Sequence, residues 1–456
     1  MPPVEPVDAL SPLDGRYGAQ LADVATAFSE AALIRARVHV EVEWLICLAA
    51  RPELPEVPSL EPAQVAAIRA AVDGFGPQAA ARVKAIEART RHDVKAVEYF
   101  LAEHLQACDL GAWVPFLHVT LTSEDVNNVA YALLLRDGIR GPWRRRADDL
   151  VGATHALALA TRQQPLLALT HGQPATPTTL GKELAVFVAR WRRQLDHLDR
   201  QEYLGKWNGA TGTFGAHLAA WPDAPWEAIA REFVEGLGLT YAPLTTQIEP
   251  HDWIAEVAHV LIRFGQVTLD FCRDLWTYIS RGVLKQRVVA GEVGSSTMPH
   301  KVNPIDFENA EANLGIAAAL LDHLALKLTT SRLQRDLSDS SALRNLGAAI
   351  GHAAVALTSA ARGLGRVAPD EAAMAAELDA HWEVLAEAIQ TALRAHGVTD
   401  AYEQMKVLTR GTRVMPEDIA MAVAALPLPA AVRSRLAGLT PSTYLGLASR
   451  LVDHAT

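Results

Sequence analysis

Apolar residues along this chain recur at alternating steps of three and four, the spacing of one face of an α-helix. The clearest run is Ile254, Val257, Leu261, Phe264, Thr268, Phe271 and Leu275, which predicts a long helix with a single apolar seam. Leu180, Leu184, Phe187, Trp191, Leu195 and Leu198 repeat the spacing between Pro177 and Gly205, a helix of roughly 40 Å at about 1.5 Å per residue. From about Ile305 to Leu328 the stripe is Leu314, Ala317, Leu321, Leu324 and Leu328, with alanines beside it that permit close helix approach. Helices of this length need partners along their whole extent, so the pattern predicts a bundle. Strand-like alternation is scarce, with Trp113 to Thr122 the best extended candidate and no series of βαβ units. The stretches 51–62 and 236–250 read as connections, and after Gly363-Leu364-Gly365 the chain returns to shorter amphipathic helices, as in a separate small helical domain.

A length of 456 residues allows two to four domains with a large buried core. The balance of 42 Lys plus Arg against 52 Asp plus Glu, a net charge of −10, argues against the basic field of a nucleic-acid binder. Cys47, Cys108 and Cys272 form no CxxC pair, which argues against a disulfide framework or zinc knuckle and fits a reducing, cytoplasmic setting. The N-terminal MPPVEPVDALSPLDGRYG lacks the positive start and apolar stretch of a signal peptide. Apolar windows such as GIAAALLDHLALKL are broken by Asp322, His323 and Lys327, short of a membrane span. The expectation is a soluble protein without membrane partners.

Four polar segments interrupt the helical pattern. In GEVGSSTMPHKVNP (291–304), glycines can turn backbone N–H groups toward an anion, Lys301 adds a charge, and a serine beside such donors can serve as a base; a flexible polar connector is the plain alternative. In LTHGQPATPTTLGKE (169–183), His171 sits on a Pro-bounded turn where it suits a proton donor, although a lone loop histidine is more often an ordinary surface residue. In RTRHDVKAVEYFL (89–101), Arg91, His92 and Lys95 suit a phosphate, and Asp93 reads equally as a helix cap. In SRLQRDLSDSSALRNLG (331–347), Arg332, Arg335 and Arg344 with Ser338, Ser340 and Ser341 suit a phosphate or carboxylate, or simply a solvated turn. Nucleotide-loop, HExxH and GxSxG motifs are missing, so nucleotide-loop binding, metal catalysis and serine hydrolysis have no support, and no metal or cofactor is expected.

GSSTMPHKVNP at 294–304 resembles the signature loop of the fumarase/aspartase superfamily, GSSxMPxKxNP. Its His300 is similar to the PHK variant of the adenylosuccinate lyase family. SPLDGRYG (11–18), HDVKAVEYFL (92–101), TSEDVNN (122–128), THGQPATP (170–177), TTQIEPHD (245–252) and QRDLSDSSALRNLG (334–347) extend the likeness to the bacterial long-form branch, leaving only the C-terminal ninety residues without a matching motif.

The resemblance implies an all-α, three-domain fold with a central long-helix bundle. Its parts would be a mostly helical N-terminal domain (1–115), a central helical-bundle domain (116–364) and a small helical C-terminal domain (365–456). It further implies a homotetramer whose active sites are shared between subunits, small phosphorylated dicarboxylate substrates, and release of fumarate from adenylosuccinate and from succinyl-aminoimidazole carboxamide ribotide (SAICAR). By motif match, Ser295 would be the general base and His171 the general acid, with Lys301 activating the loop and Glu308 orienting the imidazole. Lys301, Asn303, Thr122, Ser123 and Ser296 would hold the succinyl carboxylates. Arg16, Tyr17, Arg335, Ser340 and Arg344 would take phosphate and ribose, with Arg91, His92 and Asp93 on the same side and Gln247 and Asn309 as further contacts. Two alternatives stay open: another fumarate-releasing lyase of the superfamily, acting on argininosuccinate, aspartate or malate, and a catalytically silent helical scaffold.

Overall fold

The computed structural model describes residues 5–287, 297–298, 300–411 and 413–455, and helices dominate it. All three predicted stripes are interior: every named position from Ile254 to Leu275, from Leu180 to Leu198 and from Leu314 to Leu328 is buried. Helices Leu180–Asp199, Asp252–Ser280 and Ile305–Leu328 carry them. The first is shorter than its pattern suggested, about 30 Å for 20 residues, because Thr178–Thr179 pairs as a strand before it begins. The chain divides into two compact units of interleaved segments, 1–147 with 194–265 and 312–356, and 148–193 with 266–311 and 357–456.

In the first unit, helices Glu30–Ala49, Pro62–Asp73, Pro77–Thr90 and Asp93–Ala107 enclose one apolar core that runs from Ile34 to Trp113. Ser29 begins the first of these helices by accepting from Ala32 N–H at 3.2 Å, and Pro62 and Pro77 open the next two. Trp44 packs edge-on against Trp207 and Phe233, each 5.1 Å away, which ties that helix to the 204–241 region. The segment Trp113 to Thr122 is no strand: Gly111–Phe116 forms a 3-10 helix followed by turns. Pro115 and the Trp113 indole, which donates to Pro58 O at 2.9 Å, fix that coil where no partner strand lies alongside.

In the second unit, Trp191 packs on Phe271 at 5.1 Å and donates its indole N–H to Thr268 Oγ1 at 3.0 Å, which explains a threonine inside an apolar seam. Gly181 lies so close to its neighbours that a Cβ there would sit 2.3 Å from Ala158 O and 2.6 Å from Arg162 N. Short antiparallel pairs join Pro165–Leu166 to Thr178–Thr179, Leu169–Thr170 to Gln173–Pro174, and Leu284–Gln286 to Val367–Pro369. The C-terminal stretch has a core of its own, from Leu385 to Leu436. No described helix is long and apolar enough to cross a membrane.

Candidate active site

The first unit gathers the arginines. Helix Ser338–Leu343 follows an irregular stretch containing Arg335, carries Ser340, and ends at Arg344. The Arg335 guanidinium donates to Gln247 Oε1 at 3.3 Å and to Ser340 Oγ at 3.2 Å, and lies 3.5 Å from the Glu124 carboxylate. Gln247 is held in turn, its side-chain amide donating to Ala210 O at 2.9 Å and its backbone carbonyl accepting from Lys206 Nζ at 2.8 Å. Arg344 bridges Glu30 at 2.9 Å and Asp93 at 3.2 Å. Asp93 also meets the buried Arg37 at 2.8 Å, and although burial opposes it, this pairing with Arg37 and Arg344 holds the carboxyl below its usual range.

His92 is the N-cap of helix Asp93–Ala107: its Nδ1 accepts from Lys95 N–H at 3.2 Å. Arg91, left-handed at φ 57°, closes the preceding helix and is exposed. Asp93 therefore pairs with arginines, and the cap belongs to its neighbour. Thr122 and Ser123 stand at the start of helix Ser123–Gly138, where Asp125 Oδ2 accepts from Thr122 N–H at 2.8 Å. Arg16 and Tyr17 lie on the turn closed by Tyr17 N–H to Pro12 O at 2.9 Å.

The second unit carries the proton-transfer candidates. His171 (φ 55°) and Gly172 (φ 72°) form the two-residue tip of the Leu169–Thr170/Gln173–Pro174 hairpin, the left-handed pair that matches strand twist, and His171 is exposed there. Glu308, on the first turn of helix Ile305–Leu328, accepts from Trp276 Nε1 at 3.1 Å. Among the described residues, no hydrogen bond or ion pair joins Glu308 to His171 within the chain. Lys301 is exposed, its N–H donating to Met298 O at 3.0 Å; Asn303 is half-buried, and Asn309 Oδ1 accepts from Ser359 Oγ at 3.3 Å. Ser295 and Ser296 lie outside the described residues.

Several groups beneath these residues escaped sequence reasoning. Lys206 and Asp125 form a fully buried ion pair at 2.9 Å, and Lys206 Nζ also reaches Gly209 O at 2.8 Å. Asp125 Oδ1 accepts from Asn208 and Gly209 N–H, each at 3.2 Å. Glu124, His251 and Asp339 cluster with facing atoms within 4.8 Å of one another, all buried. His118 meets Glu41 at 2.5 Å, and that carboxylate raises the imidazole pKa against the effect of burial. The sequence offered only the density of polar residues in TSEDVNN, IEPHD and DLSDSS as a cue to Glu124, Asp125, His251 and Asp339.

Comparison with known proteins supplies the lineage. Residues 15–318 match the family model "Lyase", and residues 331–445 match "Adenylosuccinate lyase C-terminal", which covers most of the stretch that had no recognisable motif. The chain is 48% identical to the adenylosuccinate lyase of Escherichia coli (strain K12) over 98% of each chain. It is 47% identical to that of Vibrio cholerae, and 47% to that of Haemophilus influenzae, again over 98% of both. Its fold is similar to a fumarate lyase from Mesorhizobium sp. BNC1 (TM-score 0.76, 22% identity, 95% and 97% of the two chains). A 3-carboxy-cis,cis-muconate lactonizing enzyme from Pseudomonas putida is also similar (TM-score 0.73, 23% identity, 95% and 96%). The chain is thus a lyase acting on small molecules and belongs to the adenylosuccinate lyase family.

Proposed function

We propose that the chain cleaves adenylosuccinate to AMP and fumarate, and SAICAR to the corresponding carboxamide ribotide (AICAR) and fumarate, in purine nucleotide biosynthesis. The observation that carries this reading is 48% identity along 98% of the chain to an adenylosuccinate lyase, with GSSTMPHKVNP intact. The reaction is a β-elimination: a C–H bond beside a carboxylate breaks, a C=C bond forms, and the C–N electron pair leaves with the nitrogen. It needs a base, stabilisation of the aci-carboxylate and an acid. Ser295 takes the carbon-bound proton, and His171, projecting from its hairpin tip, gives one to the departing nitrogen. Lys301, Asn303, Thr122, Ser123 and Ser296 hold the succinyl carboxylates. Arg16, Tyr17, Arg335, Ser340 and Arg344 receive phosphate and ribose, with Arg91, His92, Asp93, Gln247 and Asn309 lining the same ligand.

Arg335 and Ser340 already face one another, and half-exposed Arg344 shares its charge with two carboxylates. Glu308 bonds Trp276 within its own chain, and an orienting role toward His171 is the part we assign to it in a site shared between copies. We read the working form as a cytoplasmic homotetramer. The test is fumarate formation by the purified protein, followed by ultraviolet absorbance, with adenylosuccinate and SAICAR against argininosuccinate, aspartate and malate. Release from adenylosuccinate and SAICAR alone supports the reading; release from another substrate, or from none, overturns it.

A further inference from the structure

Behind the Arg335 wall lies a buried charge cluster to which the reaction assigns no part. His251 is 2% exposed and sits in the left-handed region at φ 65°. Its Nδ1 lies 3.5 Å from Glu249 Oε2, an oxygen that also accepts from His251 N–H and from Trp253 Nε1, both at 2.8 Å. Its Nε2 faces Asp339 Oδ2 at 3.8 Å, beyond hydrogen-bond reach, with Glu124 alongside. His251 Nε2, Asp339 Oδ2, Glu124 Oε1 and Arg335 Nε are all buried without a hydrogen-bond partner among the described residues.

The cluster connects to the proposed anion site at two points. Asp339 Oδ1 accepts from Ser340 N–H at 2.6 Å and lies 3.3 Å from Ser340 Oγ, the atom that meets Arg335. Glu124 lies 3.5 Å from Arg335 directly. Three carboxylates, Glu249, Asp339 and Glu124, thus face two cations, His251 and Arg335; Lys206 acts on Glu124 from further off and is itself paired with Asp125. Burial works against a charged imidazole, but Asp339, Glu249 and Glu124 outweigh it and raise His251 to about 9. Burial pushes Glu124 up to about 7. An imidazolium has no lone pair for a metal, and the Arg335 guanidinium already occupies the flank of Glu124. The cluster therefore reads as largely compensated by its own cations rather than as a cation site.

We propose that His251 is a positioning residue whose imidazolium balances the buried carboxylates, so that Arg335 remains available to an anionic ligand, a phosphomonoester or a carboxylate. Without that charge, Arg335 is the one cation left in the cluster. Uncompensated buried carboxylates are costly, so the guanidinium turns inward to them and away from the ligand. The inference rests on Arg335 being an anion ligand in the proposed function.

Sulfate tests it, because its charge is constant between pH 6 and 10. Calorimetric titration of the full chain at neutral pH, with folding checked by circular dichroism, is expected to show sulfate bound roughly 10-fold or more weakly by His251→Gln. The double variant His251→Gln/Asp339→Asn, which removes one charge of each sign, is expected to regain most of that affinity, a rescue that a merely structural histidine does not give. In the unaltered protein, affinity falls between pH 8 and 10 as the imidazolium loses its proton, and this fall is absent from His251→Gln.

Should His251→Gln not fold, the pH profile of the unaltered protein and the double variant decide. Undiminished affinity in a folded His251→Gln, no rescue, or no alkaline fall overturns the proposal. So does sulfate binding that persists unchanged in Arg335→Ala, or affinity abolished by EDTA, which would make the cluster a metal site. Sulfate binding needs no turnover, so a protein that binds sulfate as described yet releases no fumarate refutes the assigned reaction and leaves the role of His251 standing.

Discussion

Lys206→Met removes a cation that is inaccessible to solvent while keeping most of the volume of its stem. The ammonium lies 2.9 Å from Asp125 Oδ1 and donates to the carbonyls of Gly209 and Gln247, each at 2.8 Å. Removing one partner of a buried pair typically costs about 3–5 kcal/mol, chiefly because the other charge is stranded. Asp125 keeps the N–H groups of Thr122, Asn208 and Gly209, which lowers that cost, while two carbonyls lose a charged donor, which adds roughly 1–3 kcal/mol each where they stay dry. These opposing corrections leave an expected loss of about 4 kcal/mol. Urea titration followed by tryptophan fluorescence reads it as a shift in midpoint, and the cycle with Asp125→Asn isolates the pair: the double variant is expected to lose less than the two single losses added, by about 1–3 kcal/mol. A single-variant loss below about 1 kcal/mol, or additive single losses, would show that the pair carries no such energy. Because Lys206 holds the Gln247 carbonyl, KM is expected to rise as well.

Ser295→Ala is expected to lower kcat by several orders of magnitude with KM little changed, since it removes a group acting mainly in the transition state; near-normal kcat refutes the base assignment. Arg344→Ala is expected to raise KM at least tenfold through loss of a charge-assisted contact, and a fall confined to kcat removes it from the phosphate side. His217 is fully buried against Phe214 and Trp226, and burial lowers its pKa to about 4, so the unfolded chain binds the extra proton between pH 6.5 and 4. Stability is therefore complete above pH 6.5 and falls as acid is added, by roughly 3 kcal/mol across that window. His217→Phe is expected to flatten this part of the stability curve, and an unchanged acid slope in urea titrations at stepped pH would contradict the burial argument.

The apolar seams were legible because helix burial imposes a local period that any window of the chain displays: Ile254 through Leu275 reads the same in sequence and in the core. Asp93 shows the limit of such reading. In sequence it sat where a cap belongs, whereas His92 caps the helix and Asp93 meets Arg37 and Arg344, the latter 251 residues away. Lys206 with Asp125, and His251 with Asp339, are likewise pairs whose partners come from distant segments. A charge destined for the interior looks like a surface charge until its counter-ion is known, so this buried layer left no pattern. Trp113 to Thr122 failed for a related reason, since alternation makes a strand only where a neighbouring strand accepts its hydrogen bonds.

The interleaving of the two units sets an order on synthesis. The first unit needs residues 312–356, so Arg335, Ser340 and Arg344 reach it only after the whole 148–193 and 266–311 portions of the second have been made. At about 5–20 residues per second, roughly 10–40 s separate the emergence of Ala147 from that of Ala356. Through that interval the helix beginning at Ser123 presents Glu124 before His251 has been made, and later both before Asp339. The nascent chain therefore carries a half-built polar interior for many seconds, an exposure set by the order of its segments rather than by the stability of the finished fold.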